Sequence, residues 1–220
     1  MGIVVRQSFL NLISIGIAFL IGAVNTLYLY PTYLGSTFQG LVIALLAISN
    51  IVQPFISFGT QHAVILYYSK YNKKREKDGL LTISVLIPLI IILLFIPIFF
   101  AFYDDIKSYL FQSNETLSKY VYVIIYIAIS TSFFEIFYSW LRVKLKSVFG
   151  NFLKELYPRL LISFLLISYS AGVINFEKFI MFLIYQNLQK LGPQRFLEFQ
   201  IKTDSLHTTL VTEFMRKLLA

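Results

Sequence analysis

Residues 38–77 place the strongest constraint on how this chain can fold. Residues 38–68 are mostly apolar, and five basic residues follow at once: Lys70, Lys73, Lys74, Arg75 and Lys77. An apolar helix of about 20 residues is long enough to cross a bilayer. A basic segment directly after such a helix is typical of its cytoplasmic end. This stretch therefore predicts a transmembrane helix that ends in the cytoplasm.

The composition agrees with a membrane protein. Of the 220 residues, 57% are hydrophobic and only 14% are charged, whereas roughly a quarter of the residues in a soluble domain are charged. The net charge of +8 comes from cations between apolar segments, where membrane orientation accounts for them, so we do not expect nucleic-acid binding. A basic membrane face attracts anionic lipid headgroups, and it could equally attract a phosphorylated substrate. The chain has no cysteine, which excludes disulfides and thiolate metal sites.

Apolar segments recur along the first 185 residues and predict an all-α, polytopic transmembrane helical bundle. Five complete spans are expected, at residues 9–30, 38–68, 80–103, 120–140 and 156–174, with a short turn at 31–37 between the first two. The third is almost purely Ile, Leu and Phe and is expected to face lipid. A sixth apolar run, residues 176–185, is too short to cross the bilayer.

The distribution of basic residues predicts the orientation of the bundle. Eleven lysines and arginines fall in segments that would be cytoplasmic, and three fall in segments on the opposite side. This bias follows the positive-inside rule. We therefore expect a multi-pass protein with a cytoplasmic N-terminus.

Residues 186–220 do not continue this pattern. Glutamine, threonine and charged residues replace the apolar ones, and Gly192-Pro193 would break a helix. The sequence therefore divides into a transmembrane lobe, residues 1–185, and an atypical polar or amphipathic tail, residues 186–220. A soluble terminus and a frameshift or truncation product both explain such a tail.

Polar side chains inside the apolar segments are the candidate functional residues, because polar groups at membrane depth usually face protein or water. The candidates for a substrate path are Asn25, Asn50, Gln53, Gln61, Glu135, Arg142 and Arg159. Asn25 lies on a helix face with Ala18 and Gly22, which serves either close helix packing or a cavity.

Glu135 is the most unusual of these candidates, because it is an acid within a predicted span. It is either a functional group or the structural partner of Arg142, Arg159 or Lys154. Glu155 and Arg159 are four residues apart, which predicts an ion pair along one helix.

Several short motifs resemble the polysaccharide-type (Wzx-like) flippases of the multidrug/oligosaccharidyl-lipid/polysaccharide superfamily. Tyr33-Leu34-Gly35 and Phe38-Gln39-Gly40-Leu41 are similar to the family's outer turn. Phe58-Gly59-Thr60-Gln61-His62-Ala63 resembles its motif at the inner end of the second helix. The basic loop that follows also fits, and the resemblance covers the first 185 residues.

This resemblance implies one of two six-helix lobes around a cavity that opens to each side in turn. It implies export of a lipid-linked oligosaccharide of the polyprenyl diphosphate type across the bacterial inner membrane, for O-antigen, lipopolysaccharide or other polysaccharide biosynthesis. The chain departs from the family in holding about one lobe, so a second copy or a missing second lobe would complete it. Asn25 and Gln53 stand where some relatives use cationic residues.

Three other functions remain open from the residues alone. One is a non-transporting membrane scaffold or assembly protein, and another is an exporter of drug-like cations, which would use acids deep in its cavity. An enzyme is disfavoured because catalysis needs convergent His, Asp or Glu side chains, and the spans supply only His62 and Glu135 on separate helices. We expect no cofactor and no metal.

Overall fold

The computed structural model describes residues 3–105, 108, 118–144 and 147–191. Almost all of these residues are helical, and the described part of the chain contains no β-strand. The predicted all-α class is therefore confirmed. Most of the predicted tail, including Gly192-Pro193, lies outside the described residues.

The helices follow one another with short connections. In chain order they are α1 (Ile3–Val24), a first π-helical segment (Asn25–Leu34), α2 (Gly35–Ser57), α3 (Thr60–Tyr68), α4 (Lys74–Ala101), α5 (Val121–Val143), α6 (Ser147–Asn151), a second π-helical segment (Phe152–Leu156), α7 (Tyr157–Ser170) and α8 (Phe176–Gln189).

Three helical stretches are long and apolar enough to cross a membrane, judged by length and composition. They are Val5–Ser57, Lys74–Ala101 and Val121–Val143. Helices α7 and α8, of 14 residues each, are not part of these three stretches. The structure therefore supports transmembrane helices but does not confirm five complete spans with a truncated sixth.

The first of these stretches folds back on itself at Gly35. The side-chain amide of Gln39 lies 3.5 Å from the carbonyl oxygen of Thr26, whereas 13 residues of straight helix would separate them by about 20 Å. The predicted turn at 31–37 is therefore too long, since helical geometry continues through Pro31 to Leu34. Pro31 has no N–H to donate to the preceding turn, and a π-helical segment accommodates that missing bond.

The second predicted helix, residues 38–68, is two helices in the structure. Phe58 and Gly59 both adopt left-handed backbone angles, with φ of 48° and 70°. A left-handed residue ends an α-helix, so α2 ends at Ser57 and α3 begins at Thr60. This break changes the direction of the chain just before the basic segment.

Helix α5 forms the centre of the bundle. Within its most apolar window 61% of the residues are buried, compared with 11% in α4, which lies at the periphery as expected for a lipid-facing helix. The main core cluster joins α5 to α2, α7 and α8, with Leu45, Ile127, Leu166 and Phe179 among its members. Apolar packing alone does not drive helices together inside lipid, so the polar contacts between them matter more.

Two serine hydroxyls contact carbonyl oxygens across the interface between α2 and α5. Ser49 Oγ lies 3.1 Å from the carbonyl oxygen of Ile124, and Ser132 Oγ lies 3.0 Å from that of Gln53, while each hydroxyl also contacts a carbonyl oxygen of its own helix at 2.7 Å. Hydrogen bonds of this kind between membrane helices contribute about 0.6 kcal/mol each on average. They fix the relative position of the two helices at two depths.

Candidate functional site

A network of polar and charged side chains lies between α1, α5, α7 and α8. We call it the polar network, and its members are Asn25, Glu135, Tyr138, Asn151, Lys154, Glu155, Arg159, Ser163, Asn187 and Lys190. It surrounds the second π-helical segment, near the end of α5 that leads to Arg142.

The second π-helical segment directs two neighbouring charges to different partners. Lys154 Nζ lies 2.7 Å from Glu135 Oε1 on α5, whereas Glu155 Oε2 lies 3.3 Å from Arg159 Nη2 on α7. Short π-helical segments inside α-helices occur frequently at functional sites. Both of the chain's described π-helical segments contribute to this network, since Asn25 is the first residue of the other one.

Arg159 joins α7 to α1. Its Nη1 donates to the carbonyl oxygen of Ala18 at 2.6 Å. Gly22 allows this approach, because a Cβ added there would lie 2.8 Å from the same nitrogen. The predicted ion pair between Glu155 and Arg159 is confirmed, and the arginine makes an additional contact that the sequence did not indicate.

Asn25 is buried in the contact between α1 and α7. Its Nδ2 donates to the Arg159 carbonyl oxygen at 2.9 Å, and Ser163 Oγ lies 2.6 Å from its Oδ1. Only 3% of the side chain is exposed. Of the two interpretations that the sequence left open for Asn25, this geometry corresponds to close helix packing.

Glu135 pairs with Lys154 among the three cations that the sequence offered. Both side chains are partly exposed, Glu135 at 22% and Lys154 at 36%. The ring of Tyr138 borders the pair, with Lys154 Nζ 5.1 Å and Arg142 Cζ 5.7 Å from its centroid. The Tyr138 hydroxyl donates to Asn151 Oδ1, which holds the ring in place.

Lys190 is the most deeply buried charge of the network, with 8% of the residue exposed. Its Nζ donates to Asn187 Oδ1 at 3.0 Å and lies 5.9 Å from the centroid of Phe134. Burial lowers the pKa of Lys190 to about 8, although Glu135 and Glu155 partly offset this effect. An ammonium group with few polar contacts is therefore held near two carboxylates.

The structure brings Asn25, Glu135 and Arg159 into this one network, and Arg142 lies exposed at its border. It does not bring in the remaining candidates from α2 and α3. Asn50 is exposed and Gln53 contacts Ser57 Oγ at 3.4 Å. Gln61 has a buried carboxamide oxygen without a hydrogen-bond partner among the described residues.

Sequence reasoning missed Lys190 and Asn187 because it placed them in the tail. Helix α8 runs through residue 185 to Gln189, so the structure continues across the predicted boundary. The sequence did contain a signal, because the residues on the buried face of α8 recur in steps of three and four across residue 185. Those before residue 185 are apolar and those after it are polar. The members of this face are Phe179, Ile180, Leu183, Gln186, Asn187 and Lys190.

The network contains two carboxylates and three cations, Lys154, Arg159 and Lys190. Such a group can exchange its internal ion pairs for contacts with an external anion. No cluster of three or more metal-ligating side chains of the His, Cys, Asp or Glu types occurs in the described residues.

Comparison with models of known protein families gave no match for this chain, and neither the curated proteins nor the solved structures gave one.

Proposed function

We propose that this chain is a membrane-embedded lobe that moves the polar head of a lipid-linked oligosaccharide across a bilayer. The observation that carries this proposal is the polar network itself, which includes the acid Glu135 within one of the three long apolar stretches. Ionisable groups at membrane depth are costly and usually mark a pathway.

The charge of the network suits an anionic headgroup. Its three cations outnumber its two carboxylates, and Arg142 adds a fourth cation at the border. Lys154 could leave Glu135 and contact a diphosphate, since both side chains remain partly exposed. Binding of this kind stays weak because the carboxylates compete, and weak binding permits release.

The motifs of the first 185 residues support the proposed substrate class. They resemble those of Wzx-like flippases, so we propose a polyprenyl diphosphate-linked glycan as the substrate and the bacterial inner membrane as the location. O-antigen or another surface polysaccharide would then be the product of the pathway. A second copy of the chain or a separate second lobe would complete the transport path.

A non-transporting scaffold is the second candidate, and one observation favours it. Glu135 and Glu155 each have a cationic partner, and the amide of Asn25 is occupied at both ends. Groups paired in this way hold helices together without any ligand. Transport therefore has to be tested directly.

Substitution of Glu135 by Gln should slow transport in liposomes that contain the purified chain and a fluorescent polyprenyl diphosphate oligosaccharide. We expect a loss of at least about fivefold, because the pair with Lys154 no longer balances the network and a change of about 1 kcal/mol corresponds to that factor. Glu76→Gln is the matched control, since Glu76 forms a long, solvent-exposed pair with Lys73 at 4.0 Å.

The exchange Glu135→Lys with Lys154→Glu should restore part of the activity, because it keeps the ion pair and the net charge. If the folded wild-type chain moves no lipid-linked glycan, the flippase proposal is wrong and the scaffold candidate gains. If wild type transports and Glu135→Gln does so at the same rate, the proposed role of Glu135 is wrong.

The predicted orientation can be tested by cysteine labelling, because the natural chain has no cysteine. Single cysteines at Lys73 and Asp104 lie beyond opposite ends of the long helix α4. In intact cells we expect an impermeant maleimide to label Asp104→Cys and not Lys73→Cys, because the basic segment is predicted to be cytoplasmic. The reverse labelling would contradict the predicted topology.

A further inference from the structure

An open apolar groove lies between α2, α4 and α5, along the N-terminal half of α5 and away from the end of α5 that carries the polar network. Its volume is about 820 Å³, and 15 of its 16 lining residues are apolar. Val52 on α2, Phe95 on α4 and Ile125 on α5 represent its three walls. Asp105, just beyond α4, is the one charged residue among the described residues of the lining.

The groove is surrounded by the helical stretches that are apolar enough to cross a membrane. Its lining on α4 extends from Ile91 to just beyond the helix end at Phe102, a distance of about 17 Å along the helix. One leaflet of the hydrocarbon core is about 15 Å thick. The groove therefore has the depth of one leaflet, with Asp105 at the level of the headgroups.

The volume of the groove decides between two kinds of occupant. An α-helix with side chains is about 10 Å wide, so even three turns would fill roughly 1,300 Å³. A dry cavity of about 150 Å³ holds one benzene molecule, which corresponds to about 25 Å³ per carbon. At that density, 820 Å³ holds about thirty carbons. The volume of the groove therefore matches the two acyl chains of one phospholipid, whereas a further helix would lie partly outside it.

Asp105 determines which headgroup fits at the groove mouth. It is exposed and follows directly after Asp104, which is exposed too. These two carboxylates attract the ammonium group of an ethanolamine headgroup, which phosphatidylglycerol lacks, and the exposed Lys119, two residues before the lining residue Val121, can pair with the phosphate that both lipids carry. The same charges disfavour a polyprenyl diphosphate, so this groove differs in chemistry from the polar network.

We propose that this groove is a binding site for one diacyl phospholipid with an ethanolamine headgroup, whose chains fill the gap between α2, α4 and α5. The lipid would hold α4 against α2 and α5 in the half of α4 that lines the groove. This site requires only that the chain is in a membrane and does not depend on the proposed transport.

Tryptophan fluorescence tests the site in lipid. The single native tryptophan is first replaced (Trp140→Phe), and a reporter is placed in the groove (Ile92→Trp) or next to it on the outer face of α4 (Leu93→Trp). Leu93 is 74% exposed and is not part of the lining. Each variant is reconstituted in mixed vesicles in which either phosphatidylethanolamine or phosphatidylglycerol carries brominated chains.

We expect brominated phosphatidylethanolamine to quench the groove reporter about two- to fivefold more efficiently than brominated phosphatidylglycerol, as one partly exposed ion pair allows. The Leu93→Trp reporter should be quenched equally by both lipids. Asp105→Asn should remove the preference at the groove. Equal quenching of the groove reporter by the two lipids, or a preference for phosphatidylglycerol, would overturn the proposal.

Native mass spectrometry provides a second measurement. Wild type should retain one phosphatidylethanolamine, the filled-groove variant Val52→Phe/Ile125→Phe should lose it, and the control Leu93→Phe should keep it. Retention by the filled variant would contradict the site. A wild-type dimer that becomes a monomer in the filled variant would identify a second copy as the occupant and would also overturn the proposal.

Discussion

The same substitution, Gly→Ala, should have opposite effects at residues 150 and 16. A Cβ added at Gly150 would lie 2.5 Å from a ring carbon of Tyr138, whereas one added at Gly16 meets nothing within 4 Å. Overpacking of this kind typically costs about 1–3 kcal/mol. At the exposed helical Gly16, alanine should instead stabilise the protein by about 0.5–1 kcal/mol, because glycine is a poor helix former.

The clash at Gly150 cannot be relieved easily. Tyr138 is buried, packs against Phe134 and Leu153, and donates its hydroxyl proton to Asn151. Its ring therefore has little room to move away from a new methyl group. In a protein of this size we expect the melting temperature of Gly150→Ala in detergent to fall by about 2–4 °C per kcal/mol.

A double-mutant cycle separates this clash from other effects of the substitution. In a Tyr138→Ala background the obstructing ring is gone, so Gly150→Ala should become neutral or stabilising. Coupling between contacting residues of about 0.5–3 kcal/mol is the usual range. An equally destabilising Gly150→Ala in both backgrounds would show that the ring contact is not the cause.

The second large effect concerns Lys190 and should appear in the pH dependence of stability. Burial lowers the pKa of Lys190 to about 8 from its ordinary value of 10.5. Between these two values the unfolded chain binds the proton and the folded chain does not. Stability therefore rises with pH from about 8 to 10.5, and the cost of charging the buried amine is fully present below pH 8.

Lys190→Met should remove both the cost and the part of the pH dependence that Lys190 contributes. Methionine keeps a similar length and needs no hydration, so at pH 7 we expect stabilisation on the order of 2–3 kcal/mol. Lys178→Met is the matched control, because Lys178 lies on the same helix and is exposed. Denaturant unfolding at pH 7.5 and 9.5 measures the slope, and an unchanged slope in Lys190→Met would contradict this account.

The Lys190 variant also bears on function. If Lys190 helps to bind an anionic headgroup, Lys190→Met should be more stable than wild type and slower in transport. A buried charge that is retained in spite of its cost is typical of a functional site. A variant that is more stable and transports at the wild-type rate would favour a structural origin for the network.

The sequence was sufficient to determine the helical class and the membrane-like character of the chain. Both follow from local properties, since the length and hydropathy of a segment are read from neighbouring residues alone. The Glu155–Arg159 pair was predictable for the same reason, because its partners are four residues apart on one helix. The peripheral position of α4 followed from its nearly pure apolar composition.

The tertiary structure alone decided which distant groups meet. Lys154 was one of three candidate partners for Glu135, and the packing of the second π-helical segment beside α5 brings these two side chains together. Gln61 has the helical spacing of Asn50 and Gln53 in the sequence but lies on a separate helix in the structure, because Phe58 and Gly59 break the predicted helix. The spacing of residues in a sequence specifies one face of one helix. A site forms only where several helices come into contact.

Lys190 shows this difference most clearly. Its local sequence is polar and suggests a solvent-exposed tail, yet α8 packs its polar end against α5 and buries the amine beside Phe134. Burial depends on what the other helices place around a residue, and that information is distributed over the whole chain. The sequence therefore determined the helical class, and the packing of the helices determined which of their polar groups form the network.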